Sequence, residues 1–233
     1  MFGFYIDPLY IIIVMPAMLV AFWAQFKVNS TFNKYSRVAT RSGMSGYDAA
    51  RLVLDSHGLY RVRVEESRGG HLSDHFDPRA NVIRLSQEVF HGRSAAAVGV
   101  AAHEAGHAVQ YAEEYVPMKL RAAIIPATNI GSNLCLPLLL LGILFSIPAL
   151  AFAGVIAFSL STVFQLVTLP VEFNASRRAM ESIEGSGRFG EEEQTGARRV
   201  LRAAAMTYVA ALAVSLANLL RLMIIASGTR RRD

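Results

Sequence analysis

The chain has 233 residues, of which 53% are hydrophobic, with a formal net charge of +5 and a single cysteine. So high a hydrophobic share is unusual for a soluble protein and favours an integral membrane protein. Because Cys135 is the only cysteine, intrachain disulfides and thiolate metal sites are excluded, and any metal must be held by nitrogen and oxygen atoms. The basic residues form no patch with interleaved aromatics, so no nucleic-acid partner is expected.

Four apolar stretches are each close to the roughly 20 residues that a helix needs to cross a bilayer. They predict a multi-pass protein in a lipid bilayer. The stretches are residues 9–26, 127–145, 149–169 and 203–225. The first has no basic residue before it and follows Asp7, so it is interpreted as a retained anchor and not as a cleaved signal peptide. The middle pair is separated by three residues and predicts a helical hairpin.

Basic residues that flank these stretches predict the orientation, because positive flanks favour the cytoplasmic side. Eleven of them place the segment after the first span in the cytoplasm: Lys27, Lys34, Arg37, Arg41, Lys119, Arg121, Arg177, Arg178, Arg198, Arg199 and Arg202. Arg221 and the tail residues Arg230, Arg231 and Arg232 argue for the opposite orientation. The majority predicts a cytoplasmic catalytic region.

The polar region between the first two spans predicts a small α+β unit. Ser45 and Asp48 resemble a capping box at the start of a helix. Alternating or turn-bounded segments at residues 60–66, 71–78 and 81–86 predict strands of a short antiparallel sheet. A helix is predicted from an N-cap at Ser94 to about Tyr115, and its first half is small and apolar on every side, as in a buried helix. The fold class is therefore mainly α and integral to the membrane.

This last helix contains an HExxH motif, formed by His103, Glu104 and His107. Residues four apart differ by about 40° around a helix, so the two imidazoles can share one ion. Glu104 is rotated about 100° from His103 and suits a general base that acts on a metal-activated water. Gly106 would let another element approach the helix closely. The alternative is a helix whose histidines only cap a polar surface.

A catalytic zinc site needs a third protein ligand. The candidates are His71, His75, Asp77, Glu172, Glu181 and Glu184. Glu172 stands out because it lies two residues after Pro170, which suits a kink or a first helical turn at the end of the third span. The alternative for Glu172 is an ion pair with Arg177 or Arg178.

Three segments, VAAHEAGHAVQ, DHFDPRANVIRLS and LPVEFNASRRAM, carry a resemblance that covers nearly the whole chain. Set among four apolar spans, they resemble the YugP family of bacterial membrane zinc metallopeptidases. The resemblance implies that His103, His107 and Glu172 hold one zinc ion per chain and that Glu104 is the catalytic base. A more distant likeness is to HtpX-type gluzincins, in which an aspartate follows the ligand glutamate by four residues. Ser176 holds that position here, and a hydroxyl can still hydrogen-bond a ligand histidine.

Further candidates surround this core. The strand with Val82, Ile83 and Arg84 is predicted to pair with an extended substrate, and a plain edge strand is the alternative. His75 and Asp77 could support the ligands or polarise the substrate, although a surface histidine is the commoner outcome. Ser176 and Arg178 complete the candidates.

The predicted organisation has five parts, in chain order. These are an anchor (1–28), a membrane-associated catalytic region (29–122), a transmembrane hairpin (123–170), a third-ligand helix with a loop (171–202), and a final transmembrane helix with a basic tail (203–233).

The leading hypothesis is a zinc endopeptidase of the bacterial cell membrane that acts at the cytoplasmic face on membrane-proximal or misfolded polypeptides. Proteolysis within the bilayer is disfavoured because AVQYAEEY follows the motif. A catalytically inactive metal-binding scaffold or partner protein is the alternative from another class. The sequence leaves open a homo-oligomer or a regulatory membrane partner.

Overall fold

A computed structural model describes residues 7–70 and 73–230, with the side chains of 229 and 230 left aside. The described part is mainly helical, with one small sheet. A π-helical segment, Tyr10–Val14, leads into α1, and the remaining elements follow in chain order. They are α1 (Met15–Tyr35), α2 (Gly46–Ser56), β1 (Arg63–Glu66), β2 (His75–Asp77), β3 (Val82–Leu85), α3 (Gln87–Phe90), α4 (Ala95–Ala112), α5 (Val116–Leu144), α6 (Pro148–Gly185) and α7 (Glu191–Arg230).

Four of the described helices are long and apolar enough to cross a membrane, as expected from the sequence. The spans are Tyr10–Tyr35, Val116–Leu144, Pro148–Gly185 and Glu191–Gly228. The turn between the middle two is tight: Ser146 adopts a φ of +53°, and Pro148 begins α6, where its missing N–H costs no hydrogen bond. Pro170 does not begin a new helix, because α6 continues through it to Gly185.

The chain divides into two compact units. One contains the described residues of 1–24, 120–169 and 207–233, and the other contains residues 25–119 and 170–206. The first unit packs α5 against α6 through small residues. A Cβ added at Gly142 would be 2.3 Å from the Ala151 nitrogen, and one added at Gly131 would be 2.5 Å from the Ala157 carbonyl oxygen. Such close helix contact requires glycine at these positions.

The second unit is built around α4, whose small apolar first half is buried as predicted. Ser94 caps this helix by accepting a hydrogen bond from the Ala97 nitrogen at 3.3 Å. The helix ends at Ala112, three residues earlier than predicted, since Glu114 turns the chain with a φ of +56°. The capping box of α2 is confirmed, because Ser45 and Asp48 each bond to the backbone of the other.

The sheet is mixed and not antiparallel as predicted. Its strand order is β1-β3-β2, with β1 parallel to β3 and β2 antiparallel to it. The turn after β2, in which Asn81 has a φ of +51°, folds β2 back onto one side of β3, and β1 takes the other side. The central strand is therefore buried, with Val82, Ile83 and Leu85 fully inaccessible to solvent.

This topology makes the prediction of a substrate-pairing edge strand at Val82, Ile83 and Arg84 wrong. Val82 pairs with Arg63 on one side and Asp77 on the other, so the main-chain groups of β3 face two neighbouring strands. A third strand cannot add to a strand that is already paired on both sides. The sequence alone could not show this, since which strand becomes central is set by long-range pairing.

Candidate metal centre

The two histidines of the motif lie side by side on α4. Their ring centroids are 4.7 Å apart, and the planes meet at 80°, as expected from the spacing of four residues on one helix. Both side chains are nearly buried, with His107 at 8% exposure. The buried small residues that precede them bring α4 into the centre of its unit, so the helix presents the two imidazoles to neighbouring elements.

Glu172 of α6 reaches both imidazoles with a single carboxylate oxygen. Its Oε2 atom lies 3.2 Å from His103 Nε2 and 3.4 Å from His107 Nε2. Glu172 is buried, at 3% exposure. In the described part of the chain, these three residues form the one group of three or more histidine, cysteine or acidic residues that could hold a metal, with their ligand atoms all within 4.8 Å of one another.

The spacing of these atoms suits zinc. Atoms that coordinate a tetrahedral zinc at its usual bond length lie about 3.3 Å from one another. The two measured separations from Glu172 Oε2, 3.2 and 3.4 Å, match that edge length. Two imidazoles and a carboxylate are also the ligand set of a catalytic zinc site, which keeps its fourth position open. The residues present therefore fit the metal.

The second nitrogen of each histidine has its own partner, which aims the Nε2 atoms toward Glu172. Ser176 Oγ lies 3.1 Å from His103 Nδ1, and Gln110 Oε1 lies 2.9 Å from His107 Nδ1. Such partners orient the rings and tune the basicity of the ligand atoms. Ser176 is thus placed where the resemblance to the gluzincins suggested, one helical turn after Glu172.

Glu104, next to His103 in the sequence, reaches the sheet. Its Oε2 atom accepts a hydrogen bond of 3.1 Å from the Phe76 backbone nitrogen in β2. The N–H and C=O of one strand residue point to the same side, and the Phe76 N–H points to Glu104, so both groups face away from β3. The carboxylate is therefore held at the outer edge of β2.

Electrostatics at the site are dominated by its carboxylates. Burial alone would lower the pKa of His107, since it disfavours the imidazolium. The hydrogen bond to Glu172, the negative charges of Glu104 and Glu172, and the bond to Gln110 outweigh burial and raise that pKa.

Other predicted site residues lie elsewhere. His75 is exposed, and its Nδ1 donates to the Ser73 carbonyl oxygen at 2.8 Å, as a surface histidine would. Asp77 forms an ion pair of 2.9 Å with Arg84, which holds the pKa of Asp77 below its usual range. His71 lies outside the described residues.

The remaining acidic candidates are engaged by arginines. Glu181 pairs with Arg177 at 3.5 Å, and Glu184 pairs with Arg198. Arg178 pairs with Glu113 at 2.7 Å.

Residues of the site that sequence reasoning missed include Gln110, Asn174, Asp74 and Phe76. Gln110 carried a signal that could have been used: it follows His107 by three residues, so it lies on the same face of α4. No such signal marks Phe76 or Asp74. The main-chain N–H of Phe76 and the carboxylate of Asp74 gain their roles only from the way in which the chain folds.

Comparisons with known proteins agree with this geometry. A family model described as "Putative neutral zinc metallopeptidase" matches residues 10–227. The chain is 48% identical over 217 residues to a protein of Bacillus subtilis (strain 168) named "Putative membrane protease YugP", an alignment that covers 93% of this chain and 96% of that protein. No solved structure was found to match.

Proposed function

Because the chain belongs to this family of neutral zinc metallopeptidases, whose model matches residues 10–227, we propose that it is a membrane-bound zinc endopeptidase with Glu104 as general base. Its substrates would be membrane-proximal or misfolded polypeptides at the cytoplasmic face of the bacterial cell membrane. The observation that carries the proposal is the convergence of His103, His107 and Glu172 beside the carboxylate of Glu104.

In this proposal His103, His107 and Glu172 hold one zinc ion per chain. A zinc ion in such a site supplies Lewis-acid chemistry, polarising a peptide carbonyl and lowering the pKa of a water molecule to about 7. The chain's own residues orient the imidazoles and move the proton. Ser176 and Gln110 keep the two imidazoles turned toward the ion, and Glu104 moves the proton.

Glu104 is suited to proton transfer by its position. The Phe76 N–H holds Oε2, which leaves Oε1 as the atom that accepts a proton from the attacking water. The same oxygen would pass that proton to the leaving amine. A positioned general base of this kind contributes typically about 10²- to 10⁴-fold to a rate.

The outer edge of β2, and not β3, is the proposed place at which the backbone of an extended substrate pairs. Among the described residues, β2 pairs only with β3, so its other edge is open to a further strand, and the Phe76 N–H on that edge holds Glu104. An extended peptide that adds to a strand edge is held mainly by main-chain hydrogen bonds. We therefore expect loose sequence preference and a requirement for unfolded segments.

The proposed site at the membrane surface is supported by the chain itself. Glu172 lies three residues beyond Leu169, the last residue of the apolar stretch in α6, and eleven flanking basic residues favour the cytoplasmic side for this segment.

The test compares Glu104→Gln with wild type and with Glu114→Gln, a matched change at an exposed glutamate that pairs with Lys119. The full chain, purified in detergent, is given a fluorescently labelled unfolded protein as substrate. We expect Glu104→Gln to retain zinc and to lose at least about 100-fold of the cleavage rate, with Glu114→Gln unchanged. Equal cleavage by wild type and Glu104→Gln would refute the role of Glu104 as general base. Zinc binding without cleavage in wild type would favour the metal-binding scaffold instead.

A further inference from the structure

Gln110 connects the motif helix to the helix that carries the third ligand. It is fully buried, at 0% exposure. Its Oε1 atom is 2.9 Å from His107 Nδ1, and its Nε2 atom donates to the Val171 carbonyl oxygen at 2.7 Å and to Asn174 Oδ1 at 2.9 Å. Both amide protons and the oxygen of this side chain are therefore used.

The chemistry of these partners fixes which way the carboxamide points. The Val171 carbonyl can only accept, so the amide nitrogen of Gln110 must face it. Asn174 Oδ1 also accepts, because it receives a hydrogen bond of 2.8 Å from Arg178 Nε, and a guanidinium can only donate. Rotating the Gln110 carboxamide by half a turn would bring its oxygen against two other oxygens. Val171 and Arg178 thus set the same orientation from two sides.

This orientation determines where His107 carries its proton. The Gln110 oxygen faces Nδ1, and an oxygen of this kind cannot donate, so Nδ1 must hold the hydrogen. In the neutral ring Nε2 then has a lone pair, directed toward Glu172 Oε2 at 3.4 Å. That is the tautomer in which Nε2 can coordinate a metal.

The structure assigns to Gln110 the role of a positioning residue: it holds His107 in the tautomer with the proton on Nδ1 and ties α4 to α6 beside Glu172. The inference rests on the proposed zinc site and adds to it a residue that touches neither metal nor substrate. Ser176 cannot do the same for His103, because a hydroxyl can both donate and accept.

The experiment uses two substitutions that separate the acceptor from the donors. Gln110→Leu removes all three hydrogen bonds, whereas Gln110→Glu keeps an acceptor for His107 and loses the donors to Val171 and Asn174. Gln194→Leu is the matched control, since it removes a bond of 2.8 Å from a glutamine to the Phe189 carbonyl oxygen. Zinc affinity of the full chain is measured by competition with a chelator, and thermal stability is recorded on the same samples.

We expect Gln110→Leu to weaken zinc binding about 10- to 100-fold, the usual effect of losing a partner of a ligand histidine. Gln110→Glu should retain most of the zinc affinity but melt at a lower temperature, because its carboxylate faces two oxygens. Gln194→Leu should leave zinc affinity unchanged. Equal loss of affinity in Gln110→Leu and Gln110→Glu would overturn the tautomer assignment, and full affinity in a folded Gln110→Leu would overturn the whole inference.

A second measurement does not depend on either variant folding. Nitrogen NMR of ¹⁵N-histidine-labelled full chain, with zinc removed and at alkaline pH, should show His107 protonated at Nδ1, and protonation at Nε2 would contradict the inference. A wild-type chain that binds no zinc would instead contradict the proposed function, which keeps the two failures distinct.

Discussion

Gly106 of α4 and Ala175 of α6 lie so close that a Cβ built on the glycine would be 2.6 Å from the Ala175 carbonyl oxygen. Real Cβ atoms do not tolerate such a contact with backbone, so only glycine fits at this point of the motif. The close approach expected of Gly106 is thereby confirmed. Since Ala175 follows Glu172 by less than one helical turn, the same contact sets how near Glu172 comes to the two histidines.

We therefore predict that Gly106→Ala separates the two helices and weakens the metal site. Overpacking of this kind typically costs about 1–3 kcal/mol of unfolding free energy, although alanine itself favours helix by about 1 kcal/mol. Thermal melting and zinc content of the purified chain would measure both effects. Gly185→Ala is the control, because its added Cβ would contact no other part of the described chain within 4 Å. Unchanged zinc content in Gly106→Ala would show that α6 can shift without weakening zinc binding, which would contradict the prediction.

Glu172→Ala should lose most of the bound zinc, since two histidines alone leave half of a tetrahedral site to water. Elemental analysis of the detergent-purified protein would give zinc per chain, with about one expected for wild type. The control is Glu181→Ala, which removes an exposed carboxylate paired with Arg177 on the same helix. Full zinc in Glu172→Ala would move the third ligand elsewhere, and His71 would be the next residue to substitute.

Ser176→Ala tests the partner of His103. Its hydroxyl lies 3.1 Å from Nδ1, and its loss leaves that ring less firmly oriented. We expect zinc affinity to fall about 10-fold, at the lower end of the usual range for such partners. Ser182→Ala, six residues further along the same helix, serves as the control. An unaffected chelator-competition curve would remove Ser176 from the site.

Asp74 should make stability depend on pH. Burial raises its pKa above 3.8, the negative charge of Glu104 adds to this, and hydrogen bonds from the backbone and side chain of Ser86 oppose it. Because the folded state holds this proton more tightly than the unfolded chain, the stabilisation is complete below 3.8 and is lost as the pH rises through the folded pKa.

Asp74→Asn removes the buried charge and keeps an oxygen that can accept from Ser86. We therefore expect the melting temperature of Asp74→Asn, relative to wild type, to rise from about pH 4 to pH 8. The shared titration of other groups cancels in this difference. A difference that falls with pH would show that the ionised carboxylate is favoured by its surroundings.

Much of the site was readable from the sequence because its central features are local. His103 and His107 face one side because helical geometry relates residues four apart, and Ser45 and Ser94 cap helices because each acts on its own first turn. The four apolar spans were readable for a similar reason, since hydropathy adds along a continuous segment.

What the sequence could not determine depends on contacts between distant residues. Glu172 meets His103 across 69 residues, and Gln110 gains its role from Val171 and Asn174, 61 and 64 residues away. The sheet shows the same limit: each strand was visible as a pattern, but whether β3 would be an edge or the centre depended on which partners it found. By itself, the sequence identified two histidines and a carboxylate on one helix as the candidate metal ligands and the candidate base. Only the tertiary structure decided which residues complete that site, because burial and pairing arise when separate segments compete for the same space.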